Sequence, residues 1–277
     1  MPAMIKTLTM ISSLLLLSAC SKSPNLTLHV FECGQVQVHD ISLFSPGVDE
    51  GKEKFLTNSC YLIQHDKGTM IWDTGLPDAL AGQQAEAFGG KLTLSVNKTL
   101  KGQLDEIGVD PSAIQYMGIS HFHGDHTGNA NLFNNAKLLI QQAEYDAAFG
   151  DTPAKYGFNP GSYNQIDKDN ILVLEGDYDV FGDGSVTIKT APGHTPGHQM
   201  LLVNLKESGP IMLSGDLYHF TKNRTHRRVP AFNFDKEQTL ATMDVIETFV
   251  KDSGAQFWIQ HDKEQNAEIK HSPDFYR

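Results

Sequence analysis

Short apolar segments bounded by turns recur along the whole chain, and they predict β-strands. Residues 26–31, 60–65 and 69–72 are rich in strand-forming side chains, and Gly, Pro or Asp-Lys-Gly turns bound them. Similar runs recur to the end of the chain, at 114–119, 137–141, 186–190, 199–205, 211–214 and 256–260. We therefore expect a protein with many short strands.

Apolar residues at helical spacing predict helices between these strands. The longest predicted helix runs from about Asp235 to Lys251 with one apolar stripe, formed by Leu240, Met243, Ile246 and Val250. Shorter helices are predicted at 143–149 and from about Thr127. Residues 77–107 are rich in helix formers, so we expect a helical insertion there with a mobile break at Gly89-Gly90. Mixed strands and helices in one long domain imply sheets covered by helices.

The N-terminus has the features of an export signal. Residues 1–19 combine Lys6 with an apolar stretch that is too short to span a bilayer. The segment from Leu17 to Cys20 resembles the bacterial lipobox, which implies cleavage before Cys20 and a lipid on that cysteine. Because Ser21 follows, we expect an exported lipoprotein, periplasmic or in the outer membrane, whose single domain spans residues 20–277. Ordinary secretion is the alternative.

Charge and cysteine content narrow the possible partners. The net charge is −11 and the acidic residues are scattered, which argues against a nucleic-acid partner. We expect contact with a membrane only through a lipid anchor at Cys20, and the sequence predicts no oligomeric state. In an oxidising compartment Cys33 and Cys60 could form a disulfide, but two separate buried thiols are equally compatible with the pattern.

Polar residues follow several of the predicted strands directly. These residues are Asp73, His121, His194, Asp216 and His261. Strand ends in α/β proteins bring distant parts of the chain around one crevice. We therefore expect these side chains to share a site.

The densest part of this set, His121-Phe-His123-Gly-Asp125-His126, indicates a metal centre. Imidazole and carboxylate groups together suit zinc and neighbouring transition metals. His121 and His123 can face one ion while Asp125 and His126 face a second. With His194 and His261 added, each position has three protein ligands, and Asp216 could lie between them. A purely structural zinc clamp is less compatible, because such sites are usually closed and rich in cysteine.

The motifs HFHGDH, APGHTPGH, LSGD and WIQHD, in this order, resemble the metallo-β-lactamase superfamily over residues 60–261. The resemblance implies an αββα sandwich, two mixed sheets face to face with helices outside. It also implies that His121, His123 and His194 bind the first metal and that Asp125, His126 and His261 bind the second. Asp216 would bridge the two ions. Asp73, in Trp72-Asp-Thr-Gly75, would orient the metal-binding loop, although it could also be a simple turn residue.

Further segments resemble the N-acyl-homoserine lactonase branch of that superfamily. They are residues 31–34, 40–46, 58–65 leading to 71–75, and 261–265. The resemblance implies a quorum-quenching hydrolase with two zinc ions, or other divalent transition metals, that opens an acyl-homoserine lactone. Such ions could hold and activate the attacking water, and Asp125 would relay the proton to the leaving oxygen.

The same set of metal ligands is also compatible with other activities. They are hydrolysis of another ester, lactone, thioester or phosphotriester, and metal binding without turnover. A β-lactamase is less compatible, because the β-lactam hydrolases of this superfamily generally lack a bridging aspartate where Asp216 stands.

One departure from the branch concerns the tyrosine that assists the oxyanion. It commonly lies three residues past the bridging aspartate, whereas here His219 holds that position and Tyr218 precedes it. We expect Tyr218 to assist catalysis, with a core aromatic as the alternative. Phe220, Phe232 and Phe234 could line an acyl-chain pocket or pack in the core. We interpret His198 as the start of a strand rather than a ligand.

Overall fold

The computed structural model describes residues 25–277, and the predicted signal peptide and Cys20 lie outside this range. The strands of the described residues form two sheets. Eight strands form the first: β1 (Thr27–Val38), β2 (Lys54–His65), β3 (Gly68–Trp72), β4 (Gln84–Ala87), β5 (Leu92–Ser95), β6 (Tyr116–Gly118), β7 (Lys137–Gln141) and β8 (Ile171–Leu174). Five form the second: β9 (Tyr178–Asp179), β10 (Val186–Thr190), β11 (Gln199–Leu205), β12 (Gly209–Leu213) and β13 (Gln256–Trp258).

Both sheets are mixed. The first has the strand order β4-β5-β1-β2-β3-β6-β7-β8 and the second the order β13-β12-β11-β10-β9. In the first sheet β1, β2 and β3 pair antiparallel, and β3, β6, β7 and β8 run parallel. The parallel strands therefore end at the same edge, where the loops after β3 and β6 meet.

In the described part of the chain, six helices flank the two sheets, and the first, third and fifth of them pack on the outer faces. They are α1 (Leu100–Glu106), α2 (Gly124–Thr127), α3 (Gln142–Phe149), α4 (Thr221–His226), α5 (Lys236–Ser253) and α6 (Lys263–Asn266), with short 3-10 turns between elements. The Asp235 carboxylate caps α5 by accepting from the Gln238 N–H. Within residues 25–277, no helix combines the length and apolar character needed to cross a membrane.

Strand β2 shows how the layers are assembled, since its alternate side chains enter two different cores. Tyr61 and Ile63 face the second sheet, where they pack with residues of β10 to β13. Cys60 and Leu62 face the opposite way, towards α1 and α3. A third core joins the outer face of the second sheet to the apolar stripe of α5. The αββα sandwich is thereby confirmed.

The prediction of a helical insertion over residues 77–107 is wrong for most of that segment. Strands β4 and β5 form a hairpin, with Gly89 and Gly90 at positive φ in its turn. Within residues 77–107 the helical elements are α1 and a 3-10 turn at Asp78–Leu80. The hairpin adds to the edge of β1, where Gln35 pairs with Ser95 and Val38 with Leu92. Pairing with an existing sheet edge outweighs the weak helix propensity of the segment.

The structure also decides the state of the two cysteines and the position of the helix expected near Thr127. Cys33 and Cys60 form a disulfide that joins neighbouring strands β1 and β2. The helix expected from about Thr127 instead begins at Gly124 and ends at Thr127 as the single turn α2.

Candidate metal centre

The loops after β3, β6, β10, β12 and β13 meet at one edge of the sandwich and bring the predicted ligands together. Two groups of potential ligand atoms form there. The first is His121, His123, His194 and Asp216, and the second is Asp125, His126 and His261. All seven predicted metal ligands thus lie in one centre.

Three ring nitrogens of the first group face one another. His121 Nε2 lies 2.8 Å from His123 Nδ1, and His194 Nε2 lies 3.1 Å from each of these two atoms. The opposite nitrogens are engaged elsewhere: His123 Nε2 contacts the Tyr156 carbonyl oxygen, and His194 Nδ1 contacts the Asn233 side-chain oxygen. Donation to these oxygens leaves the facing nitrogens unprotonated, as metal coordination requires.

The Asp216 carboxylate joins the two groups. Its Oδ2 lies 3.4 Å from His194 Nε2, whereas its Oδ1 lies 3.0 Å from His261 Nε2 and 3.3 Å from His126 Nε2. One oxygen therefore faces each group, which is the arrangement expected of a bridging ligand.

The second group is held by the first strands of the large sheet. His261 Nδ1 donates to the Thr57 carbonyl oxygen at 2.7 Å, and His126 Nδ1 donates to Asp73 Oδ2 at 2.9 Å. Asp125 Oδ2 lies 3.7 Å from His261 Nε2. The side chain of Asp125 is 28% exposed, compared with 5% for Asp216, so Asp125 is the carboxylate that a substrate can reach.

Burial and charge affect the two groups in opposite ways. Burial lowers the pKa of His121 and His194 well below the usual value, so both are neutral imidazoles. Burial also opposes the charge on His126, but the carboxylates of Asp216, Asp73 and Asp125 outweigh it and raise its pKa well above the usual value. The surrounding carboxylates thus create a negative potential at His126, which would also favour a bound metal cation.

The donor set fits divalent cations. His126 Nε2 and Asp216 Oδ1 are buried and point into the centre, and within residues 25–277 their short contacts lack the direction of a hydrogen bond. Converging imidazole nitrogens with carboxylate oxygens suit zinc and similar ions. A metal ion would satisfy these atoms.

Asp73 connects the second group to the β6 loop. It is fully buried, its Oδ1 accepts from the Ser120 N–H at 2.6 Å, and its Oδ2 accepts from the Gln260 side chain at 3.1 Å as well as from His126. These contacts are compatible with the predicted orienting role of Asp73. A residue that served only to form the turn would not need three buried hydrogen-bond partners.

Tyr218 does not reach the centre, which corrects our expectation that it assists catalysis. Its ring packs against Phe257 in the core beneath α5. His219, the next residue, lines the centre with its Nε2 3.0 Å from Asp216 Oδ2. In the turn after β12, the side chains of Tyr218 and Asp216 point in different directions. The side chain of His219, three residues past Asp216, points to the same side as that of Asp216.

His198 is the site residue whose role the sequence did not reveal. It is buried, its Nδ1 donates to the Ala191 carbonyl oxygen at 2.9 Å, and its Nε2 accepts from the Asp216 N–H at 2.9 Å. Gly215 allows this contact, because a Cβ there would lie 2.5 Å from His198 Nε2. The second histidine of the APGHTPGH motif therefore positions Asp216, and only its repetition in the motif hinted at a role.

A cavity of about 390 Å³ opens from the centre. Its floor is formed by His123, Asp125, Asp216, His219 and His261, and most of its walls are apolar, contributed by β1, β2, the β4–β5 hairpin and the segments around Phe44 and Phe232. Of the three phenylalanines considered for an acyl pocket, only Phe232 lines this cavity. Phe220 is buried in the apolar cluster that also forms part of the cavity wall, and Phe234 is largely exposed.

Fold and site together define a metallo-β-lactamase-type protein, and the chain belongs to the metallo-β-lactamase superfamily, whose model matches residues 54–249. It is 30% identical to the N-acyl homoserine lactonase AttM of Azorhizobium caulinodans over 267 residues, which cover 91% of this chain and 99% of that protein. It is also 30% identical to an N-acyl homoserine lactonase of a Bacillus species, over 78% of this chain and 85% of that protein.

A solved structure of an N-acyl homoserine lactone hydrolase has the same fold. That structure holds the product N-hexanoyl-L-homoserine at its catalytic metal centre, and it matches with a TM-score of 0.79 and 26% identity over 90% of this chain and 98% of that one. The expected superfamily and branch are both confirmed.

Proposed function

We propose that the protein is a dinuclear zinc hydrolase that opens the lactone ring of N-acyl-homoserine lactones. One observation carries the proposal: the cavity combines a floor of metal-binding groups with long apolar walls. An acyl-homoserine lactone has the same division, with a polar ring at one end and an apolar chain at the other. The similarity to N-acyl homoserine lactonases supports this substrate class.

In this proposal His121, His123 and His194 hold one ion, and Asp125, His126 and His261 hold the other, with Asp216 between them. Bound zinc ions would supply Lewis acidity for the carbonyl and acidify the attacking water. The protein fixes its ligands through Asp73, His198 and the backbone carbonyl groups, so that little reorganisation is needed on binding.

Asp125 is the proposed proton carrier. Its carboxylate lines the cavity and is the most exposed acid of the centre. It can accept the proton released as water adds to the carbonyl and deliver it to the ring oxygen as the carbon–oxygen bond breaks. His219 lines the same floor, so it is the side chain, rather than Tyr218, that can contact a bound lactone.

The apolar walls bind the acyl chain and exclude water from it. Phe44 and Phe232 pack edge to face at 5.2 Å between ring centroids, and Phe88 of the hairpin lies 5.7 Å from Phe232. Phe88 is 56% exposed, which places an apolar side chain at the cavity mouth.

A substrate panel tests the proposal. Zinc-loaded mature protein is incubated with acyl-homoserine lactones, a β-lactam, a thioester and a phosphotriester, and hydrolysis of each is followed. We expect the lactones to react fastest. Activity on another class with none on any lactone would refute the proposal and favour the related hydrolases.

An Asp125→Asn variant tests the proton carrier, with Asp146→Asn as the matched control because Asp146 is exposed on α3. We expect Asp125→Asn to lose at least about 100-fold in turnover, within the range for general acid–base groups, and the control to keep it. Full turnover in Asp125→Asn would remove Asp125 from this role.

We also propose that the chain is exported and anchored through a lipid at Cys20, as the lipobox-like segment 17–20 suggests. Mass spectrometry of the membrane fraction tests this, since the mature N-terminus should be an acylated Cys20. A Cys20→Ser variant should appear uncleaved, and a soluble, unmodified wild type would contradict the proposal.

A further inference from the structure

Glu144 is a buried carboxylate that the proposed mechanism does not use. It lies in the first turn of α3, is 1% exposed, and has no Lys, Arg or His ion-pair partner among the described residues. A buried charge without a counter-ion is costly. Its hydrogen bonds show what it does there.

Each Glu144 oxygen holds a different metal-binding loop. Oε1 accepts from the Phe122 N–H at 2.9 Å, and Phe122 lies between His121 and His123. Oε2 accepts from the Thr195 hydroxyl and from the Gly197 N–H, both at 2.8 Å, and Thr195 directly follows His194.

Close packing makes this link rigid. A Cβ at residue 197 would lie 2.3 Å from the Glu144 backbone nitrogen and 2.7 Å from the Glu144 Cβ. The loop can approach the start of α3 only because residue 197 is glycine.

The contacts of Glu144 involve the first group of ligands and none of the second. The second group is held separately: His126 by Asp73, His261 by the Thr57 carbonyl oxygen, and the Asp125 carbonyl oxygen by the Asn58 side chain. Asp73 also reaches the first group, through Ser120, whereas Glu144 bonds only to residues beside ligands of the first group. A change at Glu144 therefore gives a way to perturb one metal position without the other.

We propose that Glu144 is the positioning residue of the three-histidine metal position: its carboxylate clamps the loops of His121, His123 and His194 together and thereby sets the metal affinity of that position alone. This inference rests on the metal centre in the proposed function, but it does not depend on which substrate the enzyme cleaves.

The test is a zinc titration of Glu144→Gln. Glutamine keeps the shape but places an NH₂ group against either Phe122 N–H or Gly197 N–H, so one donor faces another donor. Mutations of such supporting groups typically cost about 10- to 100-fold in metal affinity. In competition with a chromophoric chelator, we expect one zinc equivalent to be released about 10- to 100-fold more easily and the other to be unchanged.

Single-site backgrounds identify which position is affected. In His261→Ala the remaining zinc should be the one at the three-histidine position, and adding Glu144→Gln should weaken it by the same factor. In His123→Ala the remaining zinc occupies the other position, and adding Glu144→Gln should leave its affinity unchanged. Equal effects in both backgrounds, or none in either, would overturn the proposal.

Two controls separate positioning from a general loss of structure. Asp146→Asn makes the same chemical change at an exposed site of α3 and should match the wild type in both zinc affinities. Excess zinc should restore the turnover of Glu144→Gln, and a loss of turnover that persists with both positions filled would also overturn the proposal. Because zinc release is read directly, the result stands whether or not a lactone is the substrate.

Discussion

Replacing Asp73 with Asn perturbs the support of the second ligand group in a defined way. Asp73 is fully buried and accepts four hydrogen bonds, from the Ser120 N–H, the Ser120 hydroxyl, the His126 ring and the Gln260 amide. Asparagine has the same shape but only one accepting oxygen. At least one buried donor must therefore face an NH₂ group.

The expected size of the effect follows from these contacts. If the NH₂ group replaces Oδ1, the Ser120 N–H is left unsatisfied, which costs about 1–3 kcal/mol. If it replaces Oδ2, the His126 Nδ1 must accept, and its proton moves to Nε2, the atom that faces the second group. Adding the loss of charge-assisted bonds, we expect the free energy of unfolding of the metal-free protein to fall by about 3 kcal/mol. Zinc affinity at the second position should fall about 10- to 100-fold.

Chemical denaturation of the metal-free protein and a chelator competition measure the two effects. Asp105→Asn is the control, because Asp105 is exposed on α1 and its only ion pair within residues 25–277 is with Lys101. This control should change stability by less than about 0.5 kcal/mol. If Asp73→Asn matched this control in both stability and zinc affinity, the orienting role of Asp73 would be refuted.

Three further predictions concern the cavity, the floor and the buried acid. Across a series of acyl-homoserine lactones, kcat/KM should rise up to about fourfold per added methylene until the cavity is filled, because each buried methylene contributes about 0.8 kcal/mol. Phe232→Ala should flatten this rise. If kcat/KM did not depend on chain length, the apolar walls would not be the binding site of the acyl chain. In steady-state kinetics, Tyr218→Phe should keep turnover within about twofold of the wild type. His219→Ala should lower turnover at least about tenfold, because the His219 imidazole is expected to contact the developing oxyanion. A larger loss in Tyr218→Phe than in His219→Ala would restore Tyr218 to the mechanism. Burial raises the pKa of Glu144 from its usual 4.5 to about 7, so between these pH values the folded metal-free protein holds a proton that the unfolded chain has released. Its stability relative to Glu144→Gln should therefore fall by about 3 kcal/mol as the pH rises from 4.5 to 7, and denaturation curves with no such pH dependence would show that Glu144 titrates normally.

The strands and the metal ligands were predictable because each leaves a local trace in the sequence. The runs at 137–141, 186–190 and 199–205 coincide with β7, β10 and β11. Strands β7 and β11 are apolar along most of their length because both of their faces are buried, whereas β10 alternates between buried and more exposed side chains. The ligands follow strand ends in dense motifs. The stripe of α5 was equally clear, with Met243, Ile246 and Val250 all buried.

The errors arose where long-range contacts decide the outcome. Hairpin β4–β5 exists because β1 offers it an edge, which residues 77–107 alone do not reveal. The choice between Tyr218 and His219 depends on the path of the turn after β12, and the sequence shows only that the two residues are adjacent.

The role of Glu144 could not be predicted from the sequence for a different reason. A glutamate in the first turn of a helix normally faces solvent and favours the helix dipole. Only the fold brings Phe122, Thr195 and Gly197 around it. Likewise Cys33 and Cys60 meet because β1 and β2 are neighbours and Cys33 lies at the irregularity in their pairing after Glu32, which the spacing of the two cysteines does not reveal.

Metal-dependent ring opening tests the central claim most directly. Purified mature protein is stripped with a chelator, and the hydrolysis of N-hexanoyl-homoserine lactone is followed by acid release and by mass spectrometry before and after zinc is restored. We predict no turnover without metal, full turnover at two zinc equivalents, and a product equal to the lactone plus one water. Turnover that is unaffected by complete metal removal, or a zinc-loaded protein that leaves the lactone intact, would contradict the account.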